Sequence, residues 1–84
     1  MSDDYEKALL GAVLAGFSGF PDLLRGVQGR DFVQPIHEQI WEAASRVYAS
    51  GGTADVLTVR TSLGAAVKDL PTGLVYLQDL MQAC

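Results

Sequence analysis

Pro35-Ile36-His37-Glu38-Gln39-Ile40-Trp41-Glu42-Ala43-Ala44-Ser45-Arg46-Val47-Tyr48-Ala49-Ser50-Gly51-Gly52 is the stretch on which the fold turns. Ile36, Ile40, Ala43, Ala44, Val47 and Tyr48 recur at i, i+4, i+7, i+8, i+11 and i+12, the spacing of one buried helical stripe, with Trp41 at its edge. Pro35 can open such a helix, since the first turn needs no amide hydrogen from it, and Gly51-Gly52 ends it. Asp31, in the preceding Arg30-Asp31-Phe32-Val33-Gln34, is the expected cap.

Toward the N-terminus, Ala8, Leu9 and Val13 with Leu10 and Leu14 predict a helix from about Asp4 to Ala15, preceded by carboxylates that suit its positive end. Gly16-Phe17-Ser18-Gly19-Phe20-Pro21 breaks it, and Pro21 sits in the first turn of a short second helix reaching about Val27, frayed at Gly26 and Gly29. Toward the C-terminus, Asp55 or Thr58 caps a fourth helix carrying Val59 and Leu63, although Thr58, Val59 and Thr61 are also compatible with a strand. Gly64 and Pro71-Thr72-Gly73 bracket a connection, and Leu74, Leu77, Leu80 and Met81 follow at helical intervals beside Tyr76. The chain therefore reads as all-α, a small orthogonal bundle of about five helices in one domain, residues 1–84. Its expected core is Leu10, Val13, Leu14, Phe32, Ile36, Ile40, Trp41, Ala44, Val59, Leu63, Leu77 and Leu80.

Composition narrows the function. Hydrophobic residues at 49% and charged ones at 19% are too apolar a mixture for disorder, yet no apolar run reaches the roughly 18 residues of a membrane span. The start, Met1-Ser2-Asp3-Asp4-Tyr5-Glu6, is acidic where a secretory signal would be basic, which implies the cytoplasm. With a net charge of −4 and six scattered cations, strong nucleic-acid binding by this domain alone is not expected.

Catalytic chemistry finds little to work with. There is no GxxxxGK[ST] phosphate cradle, and no GxGxxG opening a helix after a strand, so no nucleotide cofactor is expected. His37 neighbours Glu38, but adjacent helical residues point about 100° apart, so the two are no natural acid–base pair. The expectation for His37 is a ring that packs or hydrogen-bonds at the helix edge. Asp3, Asp4 and Glu6 lie along one helix start and read as a solvated terminus, not a cation site, and no metal is expected. Cys84, with no basic neighbour, reads as an inert thiol. Phe17 and Phe20, two aromatics in a Gly-rich loop, stand equally as core residues or as partner contacts.

Several segments then carry a family resemblance. Glu6-Lys7-Ala8-Leu9-Leu10-Gly11-Ala12-Val13-Leu14 resembles the opening E-x-A-[VL]-L-G-x-[LVI]-L of the N-terminal domain of DnaB-type helicases, and Asp31-Phe32-Val33-Gln34-Pro35-Ile36-His37 is similar to that family's D-F-[YF]-x-x-x-H. Ile40-Trp41-Glu42-Ala43 looks like I-[FW]-x-A. Gly51-Gly52-Thr53-Ala54-Asp55-Val56-Leu57-Thr58-Val59 resembles G-x-x-[IVA]-D-x-[VL]-T-[LV], and Gly73-Leu74-Val75-Tyr76-Leu77-Gln78-Asp79-Leu80 resembles G-[GL]-x-x-Y-L-x-x-L.

The resemblance implies a helical head that helps assemble a helicase ring and contacts primase, loader or other helicase subunits, with ATP and magnesium handled by the motor of the parent helicase and no enzyme activity in the head. Family members continue into a helical hairpin that supplies much of the dimer contact, so any homodimer of this piece is expected to be weakened. Val67-Lys68-Asp69-Leu70-Pro71-Thr72 departs from the family's E-x-x-G-G-type approach, which implies a differently shaped loop. Two alternatives stand beside this reading: a freestanding adaptor or regulator imitating the helicase head, and the helicase-binding region of primase.

Overall fold

The computed structural model describes residues 1–83, so the reading of Cys84 lies outside the described residues. Helices α1 (Asp3–Leu14), α2 (Phe20–Gly26), α3 (Pro35–Ala49), α4 (Val56–Leu63) and α5 (Val75–Gln82) make up an all-α fold. Two 3-10 segments, Gly29–Asp31 and Gly64–Asp69, and one extended segment, Pro71–Leu74, connect them. The radius of gyration, 11.2 Å, is close to the roughly 12 Å of a compact chain this long. No helix is long and apolar enough to cross a membrane.

Local chemistry sets most boundaries. Ser2 caps α1, its hydroxyl accepting from the Tyr5 amide at 3.2 Å, with Asp3 and Asp4 in the first turn at the positive end of the helix dipole. The chain leaves α1 through Gly16 at φ +88° and leaves α3 through Gly51 at φ +91°, a backbone region that side-chain-bearing residues avoid. At α4 the helical alternative holds because Asp55 and Thr58 cap it reciprocally. The Thr58 amide donates to Asp55 Oδ1 and the Asp55 amide to Thr58 Oγ1, each at 2.9 Å. Asp55→Ala is therefore expected to cost about 1 kcal/mol, read as a lower urea midpoint at unchanged slope.

Away from its buried polar residues, the structure departs from the sequence reading in four places. Asp31 does not cap α3; its carboxylate accepts from the Gln28 amide at 2.8 Å and closes the 3-10 turn instead. Leu74, assigned to the apolar stripe of the last helix, lies in the extended segment and is 42% exposed. Tyr48, assigned to the stripe of α3, is 44% exposed. Ile36 is only partly buried, packing on the core from its edge in the first turn of α3.

Helix α3 is the centre of the packing: α1 and α4 both lie against it, and α5 lies along α1. Leu10, Val13, Leu14, Phe32, Ile40, Trp41, Ala44, Val59, Leu63, Leu77 and Leu80 are all buried, joined by Phe20, Ala43, Ala54 and Leu70. Trp41 anchors this cluster, with Phe20 edge-on at 5.2 Å between ring centroids and Phe32 tilted at 5.3 Å.

Candidate functional site

Three polar side chains sit on the apolar stripes of three different helices. Glu6 precedes Leu10 and Val13 at i+4 and i+7 on α1, His37 precedes Ile40, Trp41 and Ala44 at i+3, i+4 and i+7 on α3, and Tyr76 precedes Leu80 at i+4 on α5. Each is turned inward by the apolar residues that share its face. Glu6 is fully buried, His37 is 1% exposed and Tyr76 is half-buried.

They meet in one hydrogen-bonded chain. His37 Nδ1 lies 2.7 Å from Glu6 Oε1, and His37 Nε2 lies 2.5 Å from the Tyr76 hydroxyl, whose ring stacks on the imidazole. The Glu6 carboxylate also accepts from the Val33 amide at 2.6 Å and the Gln34 amide at 3.4 Å. Those two amides stand at the start of α3, where the capping residue Gln34 makes no side-chain cap bond. A carboxylate from α1 thus ties down the chain at its entry to α3, at the positive end of that helix's dipole.

This environment settles the charge of Glu6. Burial pushes the carboxyl toward protonation, but the bonds from the Val33 amide, His37 and the Gln34 amide outweigh it and hold the group below its ordinary value. Burial pushes the Tyr76 phenol up, so it stays protonated. At the surface beside it, Lys7 pairs with Asp3 at 3.1 Å, an exposed i, i+4 contact.

A carboxylate, an imidazole and a hydroxyl in line have the parts of an acid–base relay, yet neither Glu6 nor His37 lines any of the four principal surface clefts. Tyr76, which does line one, is bonded to the imidazole, and the three side chains tie α1, α3 and α5 together. The solvated acidic terminus expected from Asp3, Asp4 and Glu6 is corrected for Glu6. Asp3 and Asp4 are exposed, whereas Glu6 turns into the core because it shares the stripe of Leu10 and Val13. The ring of His37, expected at a helix edge, lies in the interior.

Phe17 and Phe20 separate. Phe20 is buried, edge-on to Trp41 and to Tyr48, and belongs to the core. Phe17 is 50% exposed, its ring folded over Gly19 so closely that a Cβ there would collide with it. With Tyr48 it forms the aromatic walls of a surface cleft floored by Phe20 and Pro21. Phe17→Ala is expected to lower stability by about 1 kcal/mol or less, because half of the ring is already in water. A partner seated on that cleft would lose tenfold or more in affinity, the effect of removing a buried aromatic anchor.

The family model described as DnaB-like helicase N terminal domain matches residues 1–84. A replicative DNA helicase DnaB of Mycobacterium leprae is 31% identical over 58 residues, covering 69% of this chain and 10% of that protein. One of Leifsonia xyli is 34% identical over 58 residues, covering 69% of this chain and 13% of that protein. In structure, the N-terminal domain of DnaB helicase from Mycobacterium tuberculosis superposes with a TM-score of 0.90 at 26% identity, over 100% of this chain and 59% of that one. The matches to the two helicases thus take in 10% and 13% of their lengths.

Proposed function

This chain belongs to the DnaB-like helicase N-terminal domain family, and from that premise we propose that it is the protein-interaction and assembly domain of a replicative DNA helicase, acting in DNA replication in the cytoplasm. It supports assembly of the helicase ring and docks primase or a loader. ATP and magnesium belong to the motor of the helicase so proposed, and no catalytic step belongs to this domain. The observation that carries the reading is the superposition on the M. tuberculosis domain over the whole of this chain, with a TM-score of 0.90.

The physical character of the surface agrees. A net charge of −4 disfavours docking on phosphate, so the domain's business is with protein. Phe17 and Tyr48, 50% and 44% exposed, line one cleft, and such paired exposed aromatics suit a protein contact.

Isothermal titration calorimetry of the chain against the primase and the loader of its own host tests the proposal. A saturable heat with defined stoichiometry for either protein is the expected result. Absence of binding to both, with the domain folded by circular dichroism, overturns the docking role.

A further inference from the structure

The chain from Tyr76 through His37 to Glu6 is used by nothing in the reading above, and its hydrogen bonds have two complete arrangements. With a neutral ring, His37 Nδ1–H donates to Glu6 Oε1, and the Tyr76 hydroxyl donates to the lone pair of Nε2. With a protonated ring, Nδ1–H still donates to Glu6, while Nε2–H donates to the Tyr76 oxygen. The proton of Tyr76 must then turn away from the ring. Every ring nitrogen is paired in both states, and no heavy atom has to move between them.

We propose that Glu6, His37 and Tyr76 form a proton-responsive latch, in which protonation of His37 reverses its bond to Tyr76 and presents the Tyr76 O–H at the surface of α1 and α5. One proton is taken from solvent onto Nε2, and no covalent bond is made or broken besides that N–H. The buried carboxylate of Glu6 is the counter-ion of the imidazolium, contributed by α1 across the start of α3.

The surroundings give the reversal its direction. Tyr76 links the ring to the surface, lining a cleft with Lys7, Thr72 and Asp79. Lys7 is held by Asp3 on α1, and Asp4 lies beside them, so the freed phenolic proton meets water and carboxylates on that side. The other charged groups near α3 are engaged or turned elsewhere. Asp31 of the 3-10 turn is bound by the Gln28 amide and Arg30 is exposed, Asp55 caps α4, and Arg60 is exposed. On α3 itself Glu38, Glu42 and Arg46 line a different cleft. A proton captured in the core is thereby expressed as one new hydrogen-bond donor on α5.

Nitrogen-15 spectra of the His37 imidazole, recorded on the intact chain together with the ring resonances of Tyr76, test this between about pH 5 and 8, the range in which imidazoles switch. The expected result is an Nδ1–H tautomer at the upper end, and Tyr76 resonances that move with the same midpoint as the imidazole. An Nε2–H tautomer, a ring that does not titrate while the chain remains folded, or Tyr76 resonances indifferent to the midpoint of His37 each overturn the latch.

Discussion

Glu6→Ala is expected to lose about 3 to 5 kcal/mol of folding stability, the cost of removing one member of a buried, charge-assisted cluster and stranding the rest. The His37 N–H loses its acceptor inside the core, and the Val33 and Gln34 amides lose theirs at the start of α3. A chain of 84 residues holds roughly 4 to 12 kcal/mol in all, so a large share of it goes. Trp41, the one tryptophan, is buried and reports the transition through its fluorescence in urea. The pH dependence separates this cause from simple loss of packing. Because the folded state holds the Glu6 carboxyl below its ordinary value, the unfolded chain binds more protons at acid pH. The contribution of Glu6 is fully present above the ordinary glutamate value of about 4.3 and is lost as pH falls through the lower folded value. The stability gap between wild type and Glu6→Gln should therefore narrow on acidification. A gap indifferent to pH would show that the carboxylate is not ionised in the fold.

The glutamate was also the residue least legible in the sequence. Periodicity revealed the elements well, since Ile40, Trp41, Ala44 and their counterparts on α1 and α5 recur at the helical interval whatever their partners are. What periodicity alone does not reveal is which stripe meets which, because that is decided by long-range packing. Glu6 and His37 are separated by 31 residues and His37 and Tyr76 by 39. A signal was nevertheless present. A Glu at the head of Leu10 and Val13, a His at the head of Ile40 and Trp41, and a Tyr at the head of Leu80 are polar residues at core positions. Buried polar groups require partners, so three such positions in one small chain point to one another. Reading His37 against its sequence neighbour Glu38 missed this, since neighbours on a helix face different ways.

The boundary errors have the same origin. Asp31 has the chemistry of a cap, and it does cap, but for the 3-10 turn that brings Phe32 under Trp41. The start of α3 is left for a carboxylate on another helix. Short-range rules identified the right kind of residue at Asp31 and the wrong amide for it, because the competing acceptor comes from a distant part of the chain. At Asp55 and Thr58, where both members of the cap are local, the same rules placed the helix correctly.

Trp41→Ala is the second large effect, expected at about 3 to 5 kcal/mol from the loss of a buried indole and the cavity left behind. The ring is 1% exposed and wedged between Phe20 and Phe32, aromatic contacts drawn from α2 and from the segment leading into α3. Both elements are short, and each sets an aromatic ring against the indole. Their ordering therefore depends on this ring, and the loss should spread to α2. Followed by circular dichroism, the melting temperature should fall by roughly 12 °C or more, at about 4 °C or more per kcal/mol for a domain of this size. The pairing with Phe20 is separable by a double-mutant cycle with Phe20→Leu, in which a coupling of about 0.5 to 1.5 kcal/mol is expected for an edge-on aromatic pair. A melting temperature that hardly moves would place the indole on a partner surface instead of in the core. The role assigned to α3 as the centre of the packing would fall with it.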